Sequence, residues 1–358
     1  MSQIATMFKL NRKNFNLARG LILVVVTVVP LIVLMALHEE QYFLSVLYGA
    51  LLVGLTEPGG RYADRVVHMA VFAVAGALVT ALGFGIGGGA WGWVVLAAFV
   101  VTLAAGLAVK YGLHRFTAAY LLNIWFVIAI TLPGVYQASH VHVGAWSQAL
   151  AFLIGSALVI AVTFAVWLAR GRTAQPQPAP DLIPDSIEPV PLTTPVIAFA
   201  VLRAAAVAIT VAIAFGLHLT SADWMPIAAI VAMKPSLQQS LLTAEQRLAG
   251  AILGAAVAAL VLLTVDSKTA LEVIIVILGA LAGAIMTVNY AWYCTAVAAL
   301  VLIAVDLPNP SNHAEEARRI GFTFAGVGIA ILVLLLGGLL AKRQAAAAQP
   351  PQPAAHGG

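Results

Sequence analysis

The stretch LILVVVTVVPLIVLMAL, Leu21–Leu37, carries no charge, and IGFTFAGVGIAILVLLLGGLLA, Ile320–Ala341, has the same character near the other end of the chain. A helix needs about 20 predominantly apolar residues to cross the hydrocarbon core of a bilayer, and runs of this kind recur all along the sequence. Of 358 residues, 62% are apolar and 9% charged, against roughly 25% charged in a typical soluble domain. So few charges cannot clothe a water-soluble surface. Backbone groups find no water in lipid, so only helices or a closed barrel can span it. Barrel strands alternate polar and apolar residues over about ten positions, and these runs do not. The expected fold class is all-α, a polytopic integral membrane protein of about 12 transmembrane helices arranged as two parallel six-helix repeats.

The spans are predicted at 20–37, 42–56, 66–88, 91–109, 116–132, 145–169, 196–217, 222–233, 247–265, 270–288, 290–305 and 320–341. They divide the chain into a basic N-terminus (1–19), a first repeat (20–170), a Pro-rich linker (171–195), a second repeat (196–342) and a low-complexity tail (343–358), expected to be disordered. Proline cannot sustain a helix through the linker GRTAQPQPAPDLIPDSIEPVPLTTP. Of the 18 basic residues, all but Lys268, Arg318 and Arg319 fall on one side of this topology. Basic loops stay in the cytoplasm, so a multi-pass protein of the cell inner membrane with both termini cytoplasmic is expected. The first span is long and lacks a small-residue cleavage site, which argues against a removable signal peptide. The net charge of +4 flanks apolar runs instead of forming a patch, so nucleic acid is not an expected partner. The single cysteine, Cys294, lies in an apolar segment and reads as packing.

Similar features recur in the two halves. Tyr42 opens a short span ending at Glu57-Pro58, and Arg65 opens the next. Trp224 opens a short span ending at Lys234-Pro235, and Arg247 opens the next. The last span of each half aligns Gln148 with Arg319 and Gly155 with Gly326. Six spans per half bring both halves in from the same face, a parallel repeat of the kind that places a substrate path where the halves meet.

The segment DWMPIAAIVAMKPSLQQSLLTAEQRLAGAILGAAVAALVLL, from Asp223, joins an aromatic residue, an inner-end proline and an Arg-Leu-x-Gly-x-x-x-Gly helix. With Trp224, Pro235, Arg247, Leu248, Gly250 and Gly254 in those places, and RRIGFTFAGVGIAIL from Arg318, residues 200–340 resemble the fusaric acid resistance (FUSC) and aromatic acid exporter family. The resemblance implies efflux of small aromatic or other organic acids. A membrane-embedded enzyme would need acids or histidines clustered at one membrane face, and these are scattered, so neither an enzyme nor a cofactor is expected. Longer members of that family carry a cytoplasmic domain after each six-span block. This chain resembles a short form without them.

Candidate residues follow from charge and helix breaks. Lys234 ends the short second-half span and Arg247 opens the next, and an interrupted helix and cations together suit a carboxylate. Trp224 and Arg319 complete the expected substrate-binding set, and Pro58 and Pro235 are the helix breaks. Glu57, at the position matching Lys234, is the proton-coupling candidate, because a desolvated carboxyl is a natural proton carrier. Arg65 and Arg203 stand near cytoplasmic helix starts and read as anchors that snorkel to the headgroups. Gly250 with Gly254, and Gly279 with Gly283, have the spacing of close helix contacts. His140 and His142 lack a third ligand, so no metal is expected. GFGIGGGAWG, from Gly83, lacks the Lys-Ser/Thr ending of a phosphate loop.

The resulting expectation is a secondary transporter exporting small, mainly aromatic, carboxylic acids on the proton gradient. Its alternatives are a passive organic-anion channel of the same fold and the permease subunit of a multi-component efflux system. The lipid bilayer, an organic acid substrate, a second copy of the chain and a periplasmic adaptor protein are the candidate partners. The topology has a direct test. Reporter fusions at Ala179 and after Arg343 should both register cytoplasm, and one at Asn312 the opposite side. Identical signals from Ala179 and Asn312 would overturn the twelve-span topology.

Overall fold

A computed structural model describes residues 17–56, 61–138, 140–169, 171–172, 191–219, 224–233, 241–285, 288–306 and 313–347, together with Phe8 and Leu10. Among them are twelve α-helices and no strand. They are α1 (Leu17–Leu37), α2 (Phe43–Leu55), α3 (Tyr62–Gly87), α4 (Trp91–Leu107), α5 (Leu113–Ala138) and α6 (Ala145–Ala169) before the Pro-rich stretch. After it come α7 (Thr194–Gly216), α8 (Trp224–Ala232), α9 (Leu241–Thr264), α10 (Lys268–Ile285), α11 (Tyr290–Asp306) and α12 (His313–Ala347). Six stretches, within α3 to α7 and in α10, are long and apolar enough to cross a membrane, and shorter apolar helices accompany them. The protein is an all-helical membrane protein.

Its surface shows what solvent the fold is built for. Along α3, Val67, Val71, Val74, Leu78 and Leu82 form an exposed stripe at helical spacing, and Leu332, Leu335, Leu336 and Leu339 do the same on α12. Water would penalise such continuous apolar surface, whereas lipid chains accept it. Aromatic residues mark the ends of the helices. Trp91, Trp93 and Trp146 are exposed at one end, and Tyr111 at the other, beside Lys110 and Arg115. Tyr62 stacks on Trp167 at that second end (4.6 Å), with Arg172 over the Trp167 ring. Rings of this kind settle at the headgroup level of a bilayer.

Two helices are too short to cross unaided. The 13 residues of α2 rise about 20 Å and the 9 of α8 about 14 Å, against a hydrocarbon core of about 30 Å. Both are buried by their neighbours, α2 on nearly every side. The bundle receives α2 against α6 and α8 against α12. These contacts need glycine. A Cβ at Gly155 would collide with the Val46 carbonyl, one at Gly49 with the Phe152 carbonyl, and one at Gly326 with the Met225 carbonyl. Without a hydrophobic drive between helices in lipid, such backbone approach and its van der Waals contact hold the bundle together.

Other pairings cross the Pro-rich stretch. Helix α4 runs along α7, and α1 along α10. One apolar core joins α1, α2, α3, α5 and α6 to α9, α10 and α11. Another joins α4 and α5 to α7, α8 and α12. Smaller clusters add to these, one of α7, α8 and α12 around Ala214 and Met225 and one of α10 and α11 around Ala282, Tyr293 and Ala296, but the two large cores are each shared between the halves.

Helix ends differ from expectation in instructive places. The fifth span was expected to stop at 132, ahead of Pro133, but α5 continues to Ala138. Pro133 costs the helix one backbone bond, and packing of this turn against Gly87 outweighs that loss. The break expected near 288–290 is present, and the Asn289 Oδ1 accepts the Trp292 backbone N–H (3.1 Å) as the N-cap of α11. Helix α12 starts at His313 and runs through Lys342 and Arg343 to Ala347. The helix breaks at Pro58 and Pro235 lie outside the described residues.

Gly155→Val should cost 1–3 kcal/mol or more, the usual penalty for overpacking, seen as an earlier thermal transition of the detergent-purified protein. Gly92, which has open space where a Cβ would go, should accept alanine without a measurable shift.

Candidate functional site

Polar side chains within an apolar bundle are costly, so their positions are informative. The largest fully buried one among the described residues is Arg203. It is the tenth residue of the 23-residue α7, about 14 Å along the helix from Thr194, and so near the middle of the membrane. Its side chain is 0% exposed. The guanidinium carbon lies 4.9 Å from the centre of the Tyr120 ring on α5, a cation–π approach that gains strength away from water. One turn further along α5, Asn123 is also fully buried, and its Oδ1 accepts a hydrogen bond from Thr102 Oγ1 of α4 (3.0 Å). The Asn123 amide N–H₂ has no hydrogen-bond partner among the described residues.

Backbone proximity brings these groups to one level. A Cβ at Gly106 of α4 would stand 2.9 Å from the Ala200 Cβ of α7. Thr102 lies one turn from Gly106, and Arg203 lies three residues beyond Ala200 in the antiparallel neighbour, so both face the same seam. The seam between α4, α5 and α7 therefore holds a cation, an aromatic face, a hydroxyl and an amide donor, closed off from solvent.

This placement corrects the sequence reading. Arg203 does not snorkel as an anchor, because the bundle surrounds it on every side. Arg65 is likewise buried, at 3% exposure. A signal for Arg203 was present in its position, with apolar residues for more than a turn on either side in VIAFAVLRAAAVAI.

A second polar group lies among α2, α5 and α6. Tyr136 Oη and Gln148 Nε2 both donate to the Gln41 carbonyl, at 2.9 and 3.0 Å, and Ser45 Oγ donates to Gln148 Oε1. Below it, Trp125 Nε1 donates to Thr80 Oγ1 (2.8 Å), and the Trp125 ring stacks on Tyr48 at 4.3 Å. These groups satisfy one another and rigidify the first six helices.

The residues singled out from sequence fall unevenly. Lys234, Pro235, Glu57 and Pro58 lie outside the described residues. Arg247 lies in the second turn of α9 and Arg319 in the second turn of α12. Trp224 opens α8 half-buried, its indole N–H without a hydrogen-bond partner among the described residues. Gly250 and Gly254 face α11, where a Cβ would come within 2.5 Å of the Ala291 carbonyl and 2.6 Å of the Thr295 carbonyl. Gly279 faces Leu300 and Thr27, and Gly283 is buried on the same helix. One acidic group went unnoticed in the sequence: Glu272 of α10 is 5% exposed, beside a Lys268–Glu40 ion pair of 3.5 Å.

Comparison with known proteins adds one finding. Residues 207–333 match the family described as fusaric acid resistance protein-like. This covers most of the second six helices, and the resemblance read from the sequence holds over that range. No curated protein and no solved structure matches the chain.

Asn123→Leu tests how the seam is balanced. Asn123→Leu alone takes the acceptor from the buried Thr102 hydroxyl and should cost about 1–3 kcal/mol of thermal stability, whereas Asn123→Leu combined with Thr102→Val removes both partners and should be nearly neutral. An equal or larger loss in the double variant would mean that the pair holds the bundle together.

Proposed function

We propose that the protein is a secondary transporter of the cell inner membrane, exporting small organic, mainly aromatic, carboxylic acids at the expense of the proton gradient. The observation that carries this reading is the match of 207–333 to the fusaric acid resistance protein-like family, in a chain built of membrane-spanning helices. Fusaric acid is itself an aromatic carboxylic acid. Cations within a bundle that meets lipid are the chemistry such an anion needs, because hydrocarbon offers none.

The reading includes a duplicated bundle with its path between the halves. Its support is the correspondence of contacts. Gly155 meets Val46 as Gly326 meets Met225, at the glycines aligned from sequence. The α4·α7 and α1·α10 pairings each join the fourth helix of one half to the first helix of the other. Thr194, Lys268 and Tyr290 open α7, α10 and α11 at one constant offset from Leu17, Trp91 and Leu113, which open α1, α4 and α5.

In this account Lys234 and Arg247 receive the carboxylate at the cytoplasmic entrance, with Trp224 and Arg319 along the path. Glu57 is the proton-coupling candidate from sequence, and Glu272, buried at the opposite end of the bundle, joins it. A periplasmic adaptor and a second copy of the chain are proposed partners.

Inside-out vesicles loaded against a panel of aromatic acids test the reading. An uncoupler should stop uphill export while ATP is held constant. Export that survives uncoupling and dies on ATP depletion would instead make this the permease subunit of a larger machine. Flux that only follows the substrate gradient would make it a channel. Lys234→Gln and Arg247→Gln should each weaken substrate binding about tenfold to a hundredfold, the worth of one charge-assisted hydrogen bond of about 1.5–3 kcal/mol. Arg12→Gln should leave export unchanged. Wild-type export from both Lys234→Gln and Arg247→Gln would remove them from the path.

A further inference from the structure

The constant offset between helix starts allows the α4–α5–α7 seam to be compared with its counterpart between α10, α11 and α1. Thr102, Tyr120, Asn123 and Arg203 correspond to Gly279, Val297, Leu300 and Val26. All four polar or hydroxyl-bearing groups are replaced by apolar ones. The counterpart seam nevertheless closes well. Val26 and Leu300 are buried, and a Cβ at Gly279 would lie 3.3 Å from Leu300 Cδ1 and 3.4 Å from Thr27 Oγ1. The architecture thus does without an arginine at this place once, and without it the seam packs tightly. Arg203 is not a requirement of the fold.

We infer that Arg203, Tyr120 and Asn123 form a binding site for one aromatic carboxylate per chain, in the α4–α5–α7 seam, and that the α10–α11–α1 seam holds none. The inference deepens the proposed export function and rests on it for the identity of the ligand class. Each group has a part to play. The guanidinium is a planar fork that matches the two oxygens of a carboxylate. The Tyr120 ring that lies under it offers its edge to an aromatic ligand. Thr102 holds the Asn123 carbonyl oxygen, which turns the amide N–H₂ away from Thr102 as a further donor. The site lies where helices of the two halves meet, near mid-membrane, the usual place for a transporter to hold its cargo.

Arg203 is shut off from solvent on both sides, so the structure corresponds to an occluded arrangement. Helices α4 and α7 approach closely at Gly106 and Ala200. Their separation by a small rigid-body shift would open the seam. An anion leaving it would be released by the same movement.

Equilibrium dialysis of radiolabelled benzoate against the detergent-purified full chain tests the site without any gradient. The wild type should bind one benzoate per chain, and neutral benzamide should compete poorly. Arg203→Gln and Asn123→Leu should each weaken binding at least tenfold, and Arg203→Lys less, because it keeps the charge and loses the fork. Leu300→Asn, in the counterpart seam, should leave the affinity unchanged. Asn123→Leu guards against misfolding, since the counterpart seam already carries leucine there. Wild-type affinity in both Arg203→Gln and Asn123→Leu would overturn the site, as would two equivalent sites per chain or no binding of benzoate by the wild type. The two readings fail separately. Arg203-dependent binding in a protein that exports nothing would sink export alone, and undiminished benzoate export by Arg203→Gln would sink the site alone.

Discussion

Hydrocarbon supplies neither a hydrogen-bond partner nor a counter-ion, and every feature of this protein answers to that. Backbone groups must bond within their own helix, which makes the chain a row of helices. Side chains that face outward must be apolar, hence the valine and leucine stripes on α3 and α12. Polar groups that enter the bundle must turn inward and find partners there. The Trp125–Thr80 and Gln148–Ser45 bonds do so between helices, and Thr102 with Asn123 does so in the seam that also contains Arg203.

The same constraint weakens the force that assembles soluble proteins. Lipid tails are as apolar as leucine, so burying leucine against leucine gains little. Close backbone contact takes over, and it falls at Gly49, Gly155, Gly250, Gly254 and Gly326. Helices α4 and α7, one from each half of the chain, meet in the same way at Gly106 and Ala200. In the proposed export cycle these two helices part, and Arg203 between them is enclosed and exposed in turn.

How much of this could be read in one dimension depends on range. Helices in lipid announce themselves by composition over their full length, so Ala145–Ala169 emerges with the limits expected for it, and the break at Asn289 appears without any charged loop to mark it. Ends that depend on a neighbour were misjudged, as at Pro133, where packing against Gly87 carries α5 onward. The candidate site divides in the same way. Arg203 looked like a headgroup anchor because its distance from the helix start was read without the depth it implies. What makes it a site is Tyr120, far away in sequence, together with the contrast between two seams that only the fold places in correspondence.

The central claim is that the halves separate at the α4–α7 seam around Arg203. Paired cysteines at Gly106 and Ala200, in a Cys294→Ser background, test it most directly. A Cβ at Gly106 would lie 2.9 Å from that of Ala200, so a small relaxation reaches the roughly 3.8 Å of a disulfide. Oxidation to the disulfide should stop benzoate export, and reduction should restore it. Export at an equal rate with the bond closed would contradict the account, because the seam would then be a fixed joint and not the place where the path opens.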